Sequence, residues 1–342
     1  MNKLASSDPE AEAIVEFYRT VSTGALVQRA DEVCRSIHGN KVWLRGLVEF
    51  SNYCSMDCQY CGIRHSNTNV ERYRLSPEQI VNLTVQGYEA GLRTFVLQGG
   101  EDPWFTADRI SFILDQIKTK TRGMAAVTLS LGLRPRSVFA QWKAAGADRY
   151  LMRFETSDPE LHRRLRCGAT LERRLEALED LRDCGYEVGS GYLVGLPGES
   201  EETRIANALL CREKKFDMVG IGPFIPHPET PLGDAPQQPL ELALRATALV
   251  RLLLPLANMP ATTAAGSLDK QGREKMMAAG ANVLMPNITP EDFKKNYLLY
   301  PNKICLDESG FECINCLDIR THLVRKNIDY ARGDSLSWSP EP

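Results

Sequence analysis

The chain has 342 residues, 43% hydrophobic and 25% charged, which excludes wholesale disorder and leaves room for one large α/β barrel or two medium domains. Its 41 basic and 44 acidic residues give a net charge of −3 with no long basic block, which excludes nucleic-acid or anionic-membrane binding driven by charge alone. The most apolar stretch, 248–256, is broken by Arg251 and Pro255 and falls far short of the ~20 residues that span a bilayer. The opening MNKLASSDPEAEAIVEF turns acidic at once and carries no signal-peptide core, so a soluble, cytoplasmic protein is expected.

Residues 8–38 carry Ile14, Val15, Phe17 and Tyr18, then Leu26, Val27, Val33 and Ile37, at helical intervals, and His38-Gly39-Asn40 ends that region. A strand–loop–helix rhythm follows. Strands are expected at 42–50, 94–97, 126–131, 150–154, 188–195, 218–224, 261–265 and 282–285. Between them a helix opens at Ser76-Pro77-Glu78, and further helices are expected at 108–118, 135–145, 171–184, 201–214, 240–253 and 271–279. Eight strands alternating with helices predict a parallel sheet, closed as a complete (β/α)8 TIM-type barrel over 41–290. An N-terminal helical extension (1–40) would precede it. A C-terminal closing segment (291–342) would follow, its last stretch, 333–342, frayed. An open doubly wound sheet would show a glycine-rich phosphate loop after strand one, and here that loop is rich in cysteine. In a barrel the site lies at the C-terminal strand ends, where Gly99-Gly100, Gly132, Gly195 and Gly222 fall.

Two groups of the ten cysteines are clustered: Cys54, Cys58 and Cys61 in a C-x3-C-x2-C loop, and Cys305, Cys313 and Cys316 in a C-x7-C-x2-C element. Cys34, Cys167, Cys184 and Cys211 stand singly and read as small buried hydrophobes. Short spacings in a reducing compartment point to metal or iron–sulfur ligation rather than disulfides. Three thiolates on one tight loop can hold three irons of a [4Fe–4S] cube and leave the fourth open. A structural zinc would need a fourth ligand, and His65 is the candidate. The second triplet suggests a further [4Fe–4S] or [2Fe–2S] cluster with an outside ligand; zinc is the alternative. Gly99 and Gly100 allow close approach of the backbone to a ligand, and Glu101 after them can accept from an ammonium. Arg153 and Glu155, two apart, share one face of a strand, with Arg174 near them if the next helix packs back. A guanidinium suits a carboxylate ligand, and a structural ion pair is the alternative. Thr262, Thr263 and Arg153 are donors expected at strand ends, where burial would require partners for them.

The C-x3-C-x2-C loop after strand one, with Tyr60 just before its third cysteine, resembles that of the radical S-adenosylmethionine (SAM) superfamily. The resemblance implies that the open iron chelates the amino and carboxylate groups of SAM. It implies further that an electron from the reduced cluster cleaves the sulfonium to methionine and a 5′-deoxyadenosyl radical. Tyr60 would lie near the adenine, Gly99-Gly100-Glu101 would hold the amino group, and Arg153 or Arg174, beside Glu155, would take the carboxylate. The run from Gly191 to Glu199, with Gly195 and Leu196, is similar to the superfamily's adenine-binding backbone.

Longer phrases narrow the resemblance: GEDP (100–103), VTLSLG (127–132), AGADRYLMR (145–153), VGLPGES (194–200), DMVGIGPFIPHPETPL (217–232), PATTAAG (260–266), GANV (280–283) and NKIC (302–305). They resemble the HydE family, radical SAM maturases of [FeFe]-hydrogenase, from about residue 40 to 320. The resemblance implies assembly of the diiron subcluster from an organometallic iron–cysteine species bearing CO and cyanide, with cleavage of the cysteine C–S bond. Its partners would be the maturases HydG and HydF and a reductant such as flavodoxin or ferredoxin. Thr128, Arg153, Thr262, Thr263 and Met285 would line the cavity, with Tyr297 and Tyr300 closing it. Leu133 departs from the family, which usually has an acidic residue after SLG. Members of the family differ in carrying the C-terminal triplet, which implies that it is dispensable for catalysis. The competing readings are a carbon-skeleton mutase similar to methylornithine synthase, a biotin synthase-like sulfur insertase, and a non-catalytic iron–sulfur carrier.

Overall fold

The computed structural model describes residues 8–339; the first seven residues of the extension, where the signal-peptide reading begins, and the last three of the 333–342 stretch lie outside the described residues. The helical region read at 8–38 is two helices, α1 (Pro9–Thr20) and α2 (Thr23–His38). Val21 is extended between them, and Ser22 caps the second by accepting from the Ala25 N–H. Both helices pack against the outside of the barrel-like body.

The strand read at 42–50 is interrupted at Arg45 into β1 (Lys41–Leu44) and β2 (Gly46–Ser51). The rhythm then continues with α3 (Pro77–Glu89), opened by a Ser76–Gln79 capping box, β3 (Thr94–Gly99) and α4 (Ala107–Lys120). Next come β4 (Ala126–Ser130), α5 (Arg136–Ala144), β5 (Arg149–Leu151), α6 (Pro159–Leu165) and α7 (Leu171–Asp183). The short α6 has no counterpart in the sequence reading. After it follow β6 (Glu187–Val194), α8 (Glu201–Glu213), β7 (Met218–Pro223) and α9 (Leu240–Leu253). The chain closes with α10 (Thr263–Leu268), α11 (Gly272–Ala278), β8 (Val283–Leu284), α12 (Glu291–Lys294), α13 (Gly310–Leu323) and β9 (Asn327–Asp329).

All ladders among the named strands are parallel, in one six-stranded sheet ordered β2-β3-β4-β5-β6-β7 and one three-stranded sheet ordered β8-β1-β9. Among the described residues no closure of the expected complete barrel is found. Isolated bridges Leu47↔Asn287, Met218↔Asn258 and Pro260↔Val283 stand at the seams in place of a continuous ladder. The strand expected at 261–265 is absent: Pro260 has no N–H for a ladder, and Thr262 caps α10. The architecture is an α/β fold with parallel sheets wrapped by helices.

Strand side chains Phe95, Leu97, Val127, Leu129, Tyr150 and Val188 meet Ile113, Leu114, Trp142 and Leu178 of the helices in one continuous core. The described part of the stretch read as frayed is instead packed under the sheet. Arg45 donates to the Gly333 carbonyl (3.2 Å), the Ser335 N–H to Glu187 (3.1 Å) and Ser337 to Asp217 (2.8 Å). Arg149 bridges Glu187 (2.5 Å) and Asp334 there. Those partners sit at the N-terminal strand ends, so the tail seals the face opposite the site. No helix of the described residues is long and apolar enough to cross a membrane.

Candidate active site

At the C-terminal strand ends lies a cavity of about 320 Å³. The cysteine loop reaches it directly from β2. Asn52 ties the loop's flanks by donating to the carbonyls of Glu71 and Asn296 (2.8 and 2.7 Å). Arg72 donates to the carbonyls of Asn52, Ile63, Arg64 and Asn67 at 2.5–2.9 Å. Asp57 and Arg64 pair across the loop, 2.5 Å apart.

Cys54, Cys58 and Cys61 all line the cavity, and all are free thiols. Burial pushes the Cys58 thiol up to about 11, against the pull of Arg166, and raises Cys61 further, with each neighbouring thiol adding to the rise. Such a trio ionises together only when bound cations supply compensating charge, as iron does. Among the described residues, one three-donor group has its ligand atoms all within 4.8 Å of one another: Cys305, Glu308 and Cys313. His65, the candidate zinc ligand, is exposed and directs Nδ1 to the Cys54 carbonyl (3.3 Å).

Gly100 and Gly132 let the loops after β3 and β4 pack closely. A Cβ on Gly100 would lie 2.1 Å from the Tyr53 carbonyl oxygen. Gly132, at φ +74°, leaves room for the Glu101 carboxylate, which a Cβ would meet at 2.1–2.4 Å. The Glu101 N–H points at Cys54 Sγ (3.4 Å). The Glu101 carboxylate is shared among three guanidinia: Arg166 at 3.0 Å, Arg134 at 3.8 Å and Arg174 at 3.9 Å. Gly99 and Gly100 are in the cavity wall.

Arg153 and Glu155 project to one side as expected and pair at 3.3 Å. Arg174, on α7, donates through Nε to the Arg153 carbonyl (2.8 Å), so the helix does pack back. Burial, with Arg166 nearby, pulls the Arg174 guanidinium below its ordinary range. Tyr60 donates to Glu155 Oε1 (3.1 Å), while buried Oε2 has no hydrogen bond. Glu155 adopts φ +69°, a conformation that costs a non-glycine residue of order 1–3 kcal/mol and is commonest at functional sites.

Thr262, Thr263, Met285, Tyr297 and Tyr300 also line the cavity. The two threonines are not at a strand end. Thr262 is the N-cap of α10, accepting from the Ala265 N–H (3.3 Å), and Thr263 accepts from Arg273 (3.4 Å). Tyr297 is fully buried, its hydroxyl receiving Gln98 Nε2 (3.3 Å). Thr128 lies on β4 outside the cavity wall, buried, with its hydroxyl unpartnered. Gly195 and Leu196 are also off the wall. The Gly195 N–H is taken by Glu199 (2.7 Å), and Leu196 sits in a small apolar cluster with Leu161 and Phe224. Leu133 packs on the core edge.

The second triplet is split. Cys305 and Cys313 line the same cavity, whereas Cys316 is exposed and paired with Arg320. A hydrogen bond from Cys313 pulls the Cys305 thiol below its ordinary range against burial, with Arg273 assisting. Of the four single cysteines, Cys34 and Cys211 are buried as expected, Cys184 is half-buried, and Cys167 is exposed, donating to the Asp57 carbonyl (2.7 Å).

Four charged wall residues escaped the sequence reading: Glu49, Arg166, Arg273 and Lys303. Lys303 clamps both Glu49 oxygens at 2.6 and 2.7 Å. Arg273 has no carboxylate within ion-pair distance among the described residues. Five cations (Arg153, Arg166, Arg174, Arg273, Lys303) face three carboxylates (Glu49, Glu101, Glu155), a balance that suits an anionic ligand.

Comparison with known proteins agrees with this chemistry. Residues 48–211 match the model of the radical SAM superfamily. The chain is 48% identical over 293 residues to the [FeFe] hydrogenase maturase subunit HydE of Thermotoga maritima, covering 86% of this chain and 83% of that protein. Its fold superimposes on methylornithine synthase (PylB) with a TM-score of 0.80 at 25% identity, covering 93% and 94% of the two chains. It also superimposes on the [FeFe]-hydrogenase maturase HydG, with a TM-score of 0.77 at 18% identity over 94% and 76%, a likeness of fold alone.

Proposed function

The chain belongs to the HydE family of radical SAM [FeFe]-hydrogenase maturases, and from that premise we propose that it opens the C–S bond of an iron–cysteine species bearing CO and cyanide during assembly of the diiron subcluster. The observation that carries the reading is the single cavity that joins the cysteine loop and Glu101 to Arg153, Thr262, Thr263, Tyr297 and Tyr300. Cys54, Cys58 and Cys61 would hold a [4Fe–4S] cluster which, with bound SAM, supplies a 5′-deoxyadenosyl radical. Glu101 accepts the SAM ammonium, and Arg174, steadied on the Arg153 carbonyl, offers its guanidinium to the carboxylate. Arg153 and the threonine hydroxyls donate to the anionic cyanide groups, and Arg273, which has no carboxylate partner among the described residues, supplies positive charge beside them. Tyr297 and Tyr300 close the chamber, keeping water from the radical and the labile iron.

HydG would supply the substrate, HydF would receive the product, and a flavodoxin or ferredoxin would deliver the electron, all in the cytoplasm. The Cys305 and Cys313 thiols support a second [4Fe–4S] or [2Fe–2S] cluster, completed by Cys316 once its contact with Arg320 is released. The test uses protein reconstituted with iron and sulfide, SAM, a reductant and the organometallic precursor. The expected result is methionine released from SAM in step with precursor loss. An Arg153→Leu/Thr262→Val double variant should keep substrate-free SAM cleavage and lose hydrogenase maturation. Undiminished maturation would refute the reading.

A further inference from the structure

Arg166 occupies a position that the SAM-type elements do not explain. It is the C-cap of α6, and its side chain runs back under the cysteine loop, buried to 7% exposure. Nη1 lies 3.2 Å from Cys58 Sγ and 3.5 Å from the Tyr60 hydroxyl, while Nη2 lies 3.0 Å from Glu101 Oε1. One rigid guanidinium thus touches both a cluster-ligating sulfur and the carboxylate read as the SAM ammonium site. Two further contacts dock the same turn on the loop: the Gln59 N–H donates to the Leu165 carbonyl (2.9 Å), and Cys167 Sγ to that of Asp57 (2.7 Å). The fork is therefore held in place from both sides. Because Glu101 also faces Arg134 and Arg174, it neutralises Arg166 only in part.

We propose that Arg166 is a positioning residue that couples SAM binding to the reduction potential of the cluster on Cys54, Cys58 and Cys61, an inference that rests on the cluster reading above. A charged N–H donor at a cluster sulfur stabilises the more negative, reduced cluster and so raises its potential. An ammonium arriving at Glu101 competes with Arg166 for that carboxylate. The guanidinium is then left less neutralised and bears more fully on Cys58 Sγ, so the potential rises again. Reciprocity of coupling requires that the reduced protein bind SAM more tightly than the oxidised one. Electron arrival is thereby favoured when SAM is already seated, which limits reduction of an empty site.

The test is an EPR-monitored redox titration of reconstituted wild type, Arg166→Gln and Arg166→Lys, each with and without SAM, alongside iron content. In Arg166→Gln we expect full iron loading and a SAM-free reduced-to-oxidised ratio about tenfold lower at fixed potential, equivalent to a midpoint 59 mV lower for one electron. The SAM-dependent rise should shrink with it. Arg166→Lys keeps the charge but cannot bridge, so it should restore the SAM-free midpoint and not the coupling. Wild-type midpoints, with and without SAM, in an iron-loaded Arg166→Gln protein would overturn the proposal. If that variant fails to load iron, a wild-type SAM response in Arg166→Lys would overturn it. Failure of both variants to load iron while folded would make Arg166 an assembly residue, which also overturns it. Absence of any cluster signal in wild type would sink the cluster reading itself, a distinguishable failure.

Discussion

Lys303→Met should destabilise the protein far more than an ordinary lysine substitution. Its ammonium makes three contacts, to Glu49 Oε1 and Oε2 at 2.6 and 2.7 Å and to the Tyr297 carbonyl at 3.1 Å. The two side chains are 7% and 2% exposed, so both charges are nearly out of water. Asn287 would still donate to Oε2 (2.7 Å), but Oε1 would be left bare. Removing one partner of such a pair costs ~3–5 kcal/mol, and because Lys303 lines the cavity wall rather than packed core we take the lower end, ~3 kcal/mol. Glu49→Gln/Lys303→Met removes both charges and should cost only ~1 kcal/mol, leaving a coupling of about 2 kcal/mol or more. Urea unfolding of the four proteins of this cycle, followed by near-UV circular dichroism, measures it. A Lys303→Met cost below about 0.5 kcal/mol, the range of ordinary surface changes, would refute the reasoning, as would simple additivity. The consequence for function is direct, since Lys303 helps to pin the Tyr297 backbone over the chamber.

Other expectations can be checked separately. Replacing any one of Cys54, Cys58 or Cys61 by Ala should abolish SAM cleavage, read as 5′-deoxyadenosine, because the cube is left under-ligated. The Cys305→Ala/Cys313→Ala/Cys316→Ala protein should lose part of its iron yet keep SAM cleavage; complete loss in a folded protein would show the second site to be electronically necessary. His38 and His162 are each held down to about 4, chiefly by burial, so the unfolded chain binds the extra protons. Their contribution to stability is present above pH 6.5 and lost as pH falls from there to about 4, and a His162→Gln urea midpoint should be flatter across that window. Thr262→Val removes a helix cap as well as a ligand contact and should cost ~1 kcal/mol, whereas Thr262→Ser should restore both stability and substrate-dependent turnover.

Much of this was legible in the sequence where physics is local. Ser76 and Gln79 form a capping box that marks α3, α9 falls on the residues its apolar spacing indicates, and the C-x3-C-x2-C spacing places three thiols on one wall. What escaped depends on distant partners. The apolar run after Pro260 reads equally as buried strand or buried helix, and only the Thr262 cap decides for the helix. In α13, Cys313 and Cys316 look like ligand spacing but are also one helical turn apart, and the helix sets the second on the outer face. The polar tail at 333–339 looked unable to pack, yet its partners Arg149, Glu187 and Asp217 wait at the sheet's lower edge, up to 185 residues away in sequence. Arg166 sits in a run of arginines, His162-Arg163-Arg164-Leu165-Arg166, and nothing in that run tells which one turns inward.

The measurement that bears most directly on the central claim is the EPR spectrum of the reduced, reconstituted protein recorded with and without SAM. We expect a [4Fe–4S] signal that requires Cys54, Cys58 and Cys61, survives loss of the second triplet, and changes when SAM is added. A fully reduced sample whose spectrum is unmoved by SAM would contradict it.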